Sequence, residues 1–147
     1  MSASTPTVVL DTNVVLDWFV FRDPGVEHLV QAIESGRVHW LGCAPMHAEL
    51  AHVLSNGCLH RRRVSAPHVL TTSLRWQKQI DLPADLPLAR LRCRDTSDQM
   101  FLDLALHGGA TWLLSRDRAL LCLAGKAARR GLAILTPRRW QEADRLG

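Results

Sequence analysis

Four short, mainly apolar runs, separated by segments with helical periodicity, constrain the fold of this chain more than any other feature. They are Thr7–Leu10, Val38–Leu41, Thr111–Leu114 and Ala133–Leu135. Runs without polar alternation are typical of strands that are buried on both faces. Because these runs alternate with helical segments, the pattern predicts an α/β fold of three layers (α/β/α), in which a central parallel sheet lies between helices.

The segments between the strands carry recognisable signals of helix starts and ends. Thr96 and Gln99 have the spacing of a capping box, in which Thr96 caps the helix and Gln99 reaches back. Pro83 and Pro87 predict an irregular connection over residues 83–94. The predicted helices run from Asp23–Pro24 to Gly36, from Pro45 to Asn56–Gly57, from Ser65 to Ile80, from Thr96 to Gly108–Gly109, and from after Asp117 to about Arg130.

The size and composition of the chain fit one domain. Its 147 residues, of which 47% are hydrophobic, can bury a single core, so we expect one domain over 1–147 with a short tail at 1–6. Lys and Arg number 18 against 14 Asp and Glu, and this mild positive charge suits a polyanionic partner. Asp11, Asn13 and Asp17 interrupt the apolar stretch from Val8 to Phe21, which argues against a membrane span.

The four cysteines do not form a metal or disulfide pattern. Cys43, Cys58, Cys93 and Cys122 are scattered, with no CxxC pair among them. A disulfide framework or a zinc knuckle is therefore not expected. Reduced thiols and a cytoplasmic location fit this distribution best.

Four acidic residues stand where strands end or helices begin. Asp11 and Asp117 follow predicted strands, whereas Glu49 and Asp98 lie in the first turns of predicted helices. In parallel sheets these positions meet at one edge, so the four carboxylates are expected to converge. Oxygen ligands without a matched set of His or Cys favour Mg²⁺ or Mn²⁺ over zinc. Such a site could position a phosphodiester and assist its hydrolysis.

Five short fragments occur in an order and spacing that is more specific than any one of them. They are Val9–Asn13, Ala48–Leu54, Arg94–Ala105, Ala110–Asp117 and Ile134–Pro137. Together they resemble the PIN-domain ribonucleases over nearly the whole chain, in particular the toxins of prokaryotic toxin–antitoxin pairs (VapC-like proteins). The turn before Asp98, which is Thr96–Ser97, and the bulky Arg116 depart from the pattern that is usual in that family.

The resemblance implies roles for individual residues and partners. It implies that Asp11, Glu49, Asp98 and Asp117 are the catalytic, metal-binding acids that hold Mg²⁺ or Mn²⁺. It implies further that the chain cleaves RNA, is restrained by a cognate antitoxin protein and forms a homodimer. Asn13 and Ser115 then support the first and fourth acids, and Asp95 is a possible auxiliary acid, although a local role in its turn is favoured.

Three arginines that lead into this acidic region could contact RNA. Arg90, Arg92 and Arg94 alternate along the chain, and contacts to phosphate need only cations within reach.

Other readings of these residues are weaker. Taken singly, Asp11 could simply end a strand and Asp117 could cap a helix. Glu49 could be a solvated side chain and Asp98 a first-turn acid that the helix dipole favours.

His47 and Glu49 match the HxE of zinc deaminases, but no PCxxC follows. Asp11 could begin a phosphatase motif, but Asn13 stands where an acid would be needed, and a receiver domain would need a late lysine that the chain lacks after Ile134–Leu135. Two alternatives stay open: a related nuclease that acts on DNA or in RNA maturation, and a catalytically feeble nucleic-acid-binding or antitoxin-binding module.

Overall fold

A computed structural model describes residues 4–56, 64–87 and 90–146 of the chain. The strands are β1 (Thr7–Leu10), β2 (His39–Gly42), β3 (Gln77–Gln79), β4 (Trp112–Leu114) and β5 (Ala133–Leu135). The helices are α1 (Thr12–Leu16), α2 (Glu27–Glu34), α3 (Ala44–Leu54), α4 (Ala66–Trp76), α5 (Gln99–His107), α6 (Arg118–Leu121), α7 (Ala124–Ala128) and α8 (Pro137–Leu146). A π-helical segment, Asp17–Phe21, continues α1, and 3-10 turns at Pro24–Val26 and Thr96–Asp98 precede α2 and α5.

The five strands form one parallel sheet in the order β3-β2-β1-β4-β5. Val8 in the central strand is in register with Trp40 on one side and with Trp112 on the other. Leu113 is paired in turn with Ile134 of the edge strand β5. The parallel sheet predicted from the apolar runs is thereby confirmed.

Alternate residues of the central strand face two separate apolar cores. Val9 packs into the core that Leu41, Leu102 and Leu120 share on one face of the sheet. On the opposite face, Val8 and Leu10 contribute to the core built with α1, α2 and α8. Val8, Val9 and Leu10 are all fully buried. Helices thus cover both faces, and the predicted α/β/α layering is confirmed.

Several elements escaped the sequence prediction, among them α1 with its π-helical continuation, β3 and α8. The helix predicted from Ser65 to Ile80 ends at Trp76, and the next three residues, Gln77–Gln79, form strand β3 at the sheet edge. The segment after Pro137 forms α8, whose Trp140 is 1% exposed and packs edge-on against Trp112. Neither β3 nor α8 has the apolar pattern on which the prediction relied.

The predicted capping box at Thr96 is wrong. Asp95 is the capping residue, because its carboxylate accepts the N–H of Ser97 at 3.0 Å. The Gln99 side chain accepts the N–H of Cys93 at 2.7 Å and donates to the carbonyl of Leu91 at 3.0 Å. Gln99 therefore anchors the preceding loop instead of the helix start.

The remaining predictions about local structure have mixed outcomes. The helix predicted to reach Arg130 is broken into α6 and α7 by a turn at residues 122–123. Cys43, Cys93 and Cys122 are free thiols, whereas Cys58 lies outside the described residues. Among the helices of the described ranges, none has the length and apolar character needed to span a bilayer.

Candidate metal centre

The candidate centre lies where the chain reverses its direction of progress across the sheet. From β1 the chain adds β2 and β3 on one side and then crosses to place β4 on the other. Ligands of parallel α/β sheets bind beyond the carboxyl ends of the strands at such a reversal. Asp11 follows β1 directly, and Asp117 is three residues beyond Leu114, the end of β4. Topology therefore brings the two acids together across 106 residues of sequence.

Asp11 is held rigidly at the start of α1. It is 3% exposed, and one carboxylate oxygen, Oδ1, accepts the N–H of Val14 at 3.0 Å. The other oxygen, Oδ2, accepts the Ser115 hydroxyl at 2.5 Å. Burial raises the pKa of Asp11 above its usual value, and the hydrogen bonds from Ser115 and Val14 only partly oppose that rise.

Ser115 joins the first acid to the fourth. While its hydroxyl donates to Asp11, its oxygen accepts the backbone N–H of Asp117 at 2.9 Å. Ser115 is fully buried, and its own N–H donates to the carbonyl of Leu135 at 3.0 Å, which ties it to β5. The position of Asp117 therefore depends on the same hydroxyl that orients Asp11.

Three carboxylates approach closely enough to share a cation. One oxygen each of Asp95, Asp98 and Asp117 lies within 4.8 Å of the other two. Magnesium–oxygen distances of about 2.0–2.1 Å place oxygens on opposite sides of the ion about 4 Å apart. Small side-chain rotations would thus suffice for coordination.

The cluster is electrostatically costly without a cation. Burial, together with the neighbouring Asp117 carboxylate, raises the pKa of Asp98 to about 7. A hydrogen bond from the Asp98 carboxyl and the N–H of Ala119 lower the pKa of Asp117, and the positive charge of Arg94 adds to this effect. In the metal-free protein, Asp98 therefore keeps its proton to a higher pH than an ordinary carboxyl, and that proton lies in its hydrogen bond to Asp117.

A buried oxygen at the centre of this group fits a cation. The Asp98 Oδ2 atom is inaccessible to solvent and has no hydrogen-bond partner among the described residues. A buried acceptor without a partner is energetically costly. Carboxylate oxygens are the ligands that hard divalent cations favour. The residues present therefore fit Mg²⁺ or Mn²⁺.

The remaining predicted acid and its polar neighbour lie in the same depression. Glu49 on α3 and Asn13 on α1 line a cavity of about 210 Å³ with Asp11, Asp98 and Asp117. Glu49 is half-buried, Asn13 is exposed, and neither belongs to the group of three close carboxylates. All four predicted acids thus border one cavity, and three of them come from separate strand or helix ends that are distant in sequence.

Asp95 caps the turn before α5 and also borders the acidic cavity. Its Oδ1 accepts the N–H of Ser97 at 3.0 Å and the Ser97 hydroxyl at 2.7 Å, which stabilises the turn before α5. Ser97 itself was not predicted to line the site, and its only sequence signal is its place between two acids.

The three arginines predicted to contact RNA do not lie together. Arg94 is exposed and close enough to Asp117 to affect its charge. Arg92 is exposed as well. Arg90, in contrast, donates to Asp103 at 3.0 Å and to the Pro87 carbonyl at 3.2 Å, and it lines a different cavity.

Sequence reasoning also missed an ion-pair network behind the site. The guanidinium of Arg116 contacts the carboxylates of Asp17 and Asp23. Asp17 is 5% exposed and had been noted only as an interruption of an apolar stretch. Spacing along the chain gives no signal for this contact, because 99 residues separate Arg116 from Asp17.

Comparison with known proteins agrees with this geometry. The family model described as "PIN domain" matches residues 7–119, which include all four predicted acids. No curated protein matches the chain in sequence.

Proposed function

Because this chain belongs to the PIN-domain family, we propose that it is a metal-dependent ribonuclease that hydrolyses phosphodiester bonds of RNA. The family implies nuclease activity that generally depends on a divalent metal. The choice of RNA, the identity of the ion as Mg²⁺ or Mn²⁺ and the role of each acid belong to the proposal. The chain would then act in the cytoplasm as the toxin of a toxin–antitoxin pair.

The observation that carries the proposal is the buried Asp98 Oδ2 atom beside Asp95 and Asp117, which has no hydrogen-bond partner in the described part of the chain. Carboxylates this close repel one another unless a proton or a cation lies between them. In the proposal, Asp11, Asp98 and Asp117 hold the ion and Glu49 faces it from α3 across the cavity. When bound, Mg²⁺ or Mn²⁺ supplies positive charge that neutralises the phosphate and favours deprotonation of the attacking water.

The chain's own residues have distinct tasks in this scheme. Ser115 keeps Asp11 oriented and fixes the backbone of Asp117, so the two carboxylates are held at a constant separation. Exposed Asn13 stands at the rim of the cavity, where its amide can contact substrate. Arg94, beside Asp117, offers a cation to a neighbouring phosphate.

The antitoxin and the homodimer are further parts of the proposal. The family resemblance suggests a partner that covers the acidic cavity, and a basic side chain from that partner would find carboxylates there. A complex of this kind would inhibit cleavage by competing with both cation and RNA.

The direct test is cleavage of end-labelled single-stranded RNA by the purified protein with Mg²⁺, Mn²⁺ or EDTA. We expect cleavage with either cation, none in EDTA, and a loss of at least about 10²-fold in Asp98→Asn, the scale of one lost electrostatic contact to the reacting group. A DNA oligonucleotide of the same sequence separates the ribonuclease from a DNA-directed nuclease. Cleavage that persists in EDTA, or equal activity in Asp98→Asn, would refute the proposal.

A further inference from the structure

Arg116 lies between two residues of the candidate site, but its ion-pair partners lie outside the acidic cavity. Its neighbours Ser115 and Asp117 face Asp11 and the acidic cavity. The Arg116 guanidinium instead contacts Asp17 through Nη2 and lies 3.7 Å from Asp23 through Nη1. The loop after β4 is therefore attached to the π-helical segment that continues α1.

Asp17 and Asp23, whose carboxylates contact Arg116, are themselves held in place by hydrogen bonds. Asp17 is buried, with 7% of its side chain exposed, and its carbonyl accepts the N–H of Asp23 at 2.9 Å. Arg22 between them has φ of 50°, a left-handed turn that brings the chain back toward Asp17. Asp23 Oδ1 caps Gly25 at 2.8 Å, which leaves Oδ2 for Arg116.

This attachment connects the two acids of the site through their supporting elements. Asp11 caps α1, and Asp17 begins the segment that follows α1 directly. Arg116 joins that segment to the loop whose Ser115 hydroxyl contacts both Asp11 and Asp117. A shift of the loop would move Ser115 and Asp117 together relative to Asp11.

We propose that Arg116 is a positioning residue that holds the Ser115–Asp117 loop against α1 through Asp17 and Asp23, so that the acids keep the separation needed to bind a cation. This inference rests on the proposed function of the acidic site. Arginine suits the task because its planar fork offers separate donors to two carboxylates, whereas a lysine ammonium is a single point charge.

The experiment measures Mn²⁺ affinity by electron paramagnetic resonance, which needs no substrate and no activity. Arg116→Ala, Arg116→Lys and wild type are compared at a temperature at which each is folded by circular dichroism. Arg138→Ala is the matched control, because Arg138 lines the same cavity as Arg116 but pairs with Glu142 across one helical turn instead of with Asp17 or Asp23. RNA cleavage is measured separately to obtain kcat and KM.

We expect Arg116→Ala to bind Mn²⁺ about 10–100-fold more weakly, the scale on which groups that orient ligands act. Arg116→Lys should recover part of this loss, kcat should fall more than KM rises, and Arg138→Ala should match wild type. Should Arg116→Ala not fold, Arg116→Lys and Asp23→Asn, which retains the cap on Gly25, take its place, and each should bind Mn²⁺ more weakly than wild type.

Mn²⁺ affinity that is unchanged in folded Arg116 variants would overturn the inference, even if their melting temperatures fell, since the ion pair would then serve stability alone. If wild type binds Mn²⁺ at the acids but cleaves no RNA, the proposed function fails and the positioning role is still tested by affinity. If wild type binds no Mn²⁺, both fail together.

Discussion

Asp98 is the residue at which the electrostatics of the molecule and its proposed chemistry meet. Its burial and its proximity to Asp117 raise its pKa to about 7. The charged form is thus disfavoured in the folded, metal-free protein, whereas it is the form that a cation requires. Metal binding should therefore release a proton near neutral pH.

The raised pKa of Asp98 predicts how stability depends on pH without metal. A carboxyl whose pKa rises from 3.8 to about 7 on folding stabilises the protein below 3.8, and this contribution is lost as the pH rises through about 7. In EDTA, the free energy of unfolding should decline over that range, and Asp98→Asn should reduce the decline because the amide stays neutral. Urea denaturation at several pH values measures this.

Asp11 contributes to the same decline of stability with pH. Its pKa is raised in the same direction, mainly by burial, so part of the decline should remain in Asp98→Asn. At about pH 8, saturating Mg²⁺ should restore the free energy of unfolding that wild type loses in EDTA. The same addition should leave the free energy of unfolding of Asp98→Asn unchanged. If Asp98→Asn is less stable than wild type at that pH in EDTA, the charged Asp98 carboxylate does not destabilise the metal-free protein, and the account is contradicted.

Ser115→Ala tests the hydroxyl that connects two acids. The change removes the donor to Asp11 and the acceptor of the Asp117 N–H, and we expect metal affinity or activity to fall about 10–100-fold. Cleavage titrated with Mg²⁺ gives the apparent affinity. Ser35→Ala, which removes a hydroxyl from the remote end of α2, is the control and should behave as wild type. Metal affinity and activity of Ser115→Ala equal to those of wild type and Ser35→Ala would exclude the orienting role.

Arg94 and Arg90 should differ in what their loss affects. Arg94→Ala should weaken RNA binding and lower the slope of log K against log salt by about 1, because it removes one exposed cation near Asp117. Arg90→Ala should instead cost about 1–3 kcal/mol of stability, because it leaves the buried Asp103 short of a donor. Filter binding at several salt concentrations and urea denaturation separate the two. The opposite pattern would place the RNA path at Arg90.

At the scale of elements, the sequence predicted the strands that consist mainly of apolar residues. The strands β1, β2, β4 and β5 were recognised because runs of consecutive apolar residues are typical of strands that are buried on both faces. Strand β3 was missed because Gln77–Gln79 is polar and partly exposed at the sheet edge. The capping box failed because Asp95, one residue earlier, caps the 3-10 turn before α5, and the Gln99 side chain bonds the preceding loop.

Helix α8 shows how one buried side chain can anchor a polar element. Most of its residues are charged or exposed, but Trp140 is buried against Trp112 and His28. We expect Trp140→Ala to cost about 3–5 kcal/mol in the free energy of unfolding, as large-to-small changes in cores do. Leu146→Ala, a change at a residue that is 90% exposed on the same helix, should have no measurable effect in the same denaturation experiment. A cost below about 1 kcal/mol for Trp140→Ala would mean that α8 is not anchored by this side chain.

At the scale of the whole molecule, topology explains how much of the candidate site was predictable. Asp11 and Asp117 could be placed at one edge because parallel strands end on the same side. That Glu49 and Asp98 border the same cavity also followed from helices that begin there. The link from Arg116 to Asp17 could not be inferred, because it depends on the π-helical segment and on the left-handed turn at Arg22, which the sequence pattern does not reveal.

The central claim is that carboxylates from distant parts of the chain bind one divalent cation, and a Mn²⁺ titration followed by electron paramagnetic resonance tests it most directly. The account predicts saturable binding to wild type that is lost in Asp98→Asn and Asp117→Asn and competed by Mg²⁺. The remote substitution Asp144→Asn, at an acid that pairs with His28 and Arg37, should leave binding intact. Binding equal to wild type in both Asp98→Asn and Asp117→Asn would contradict the account.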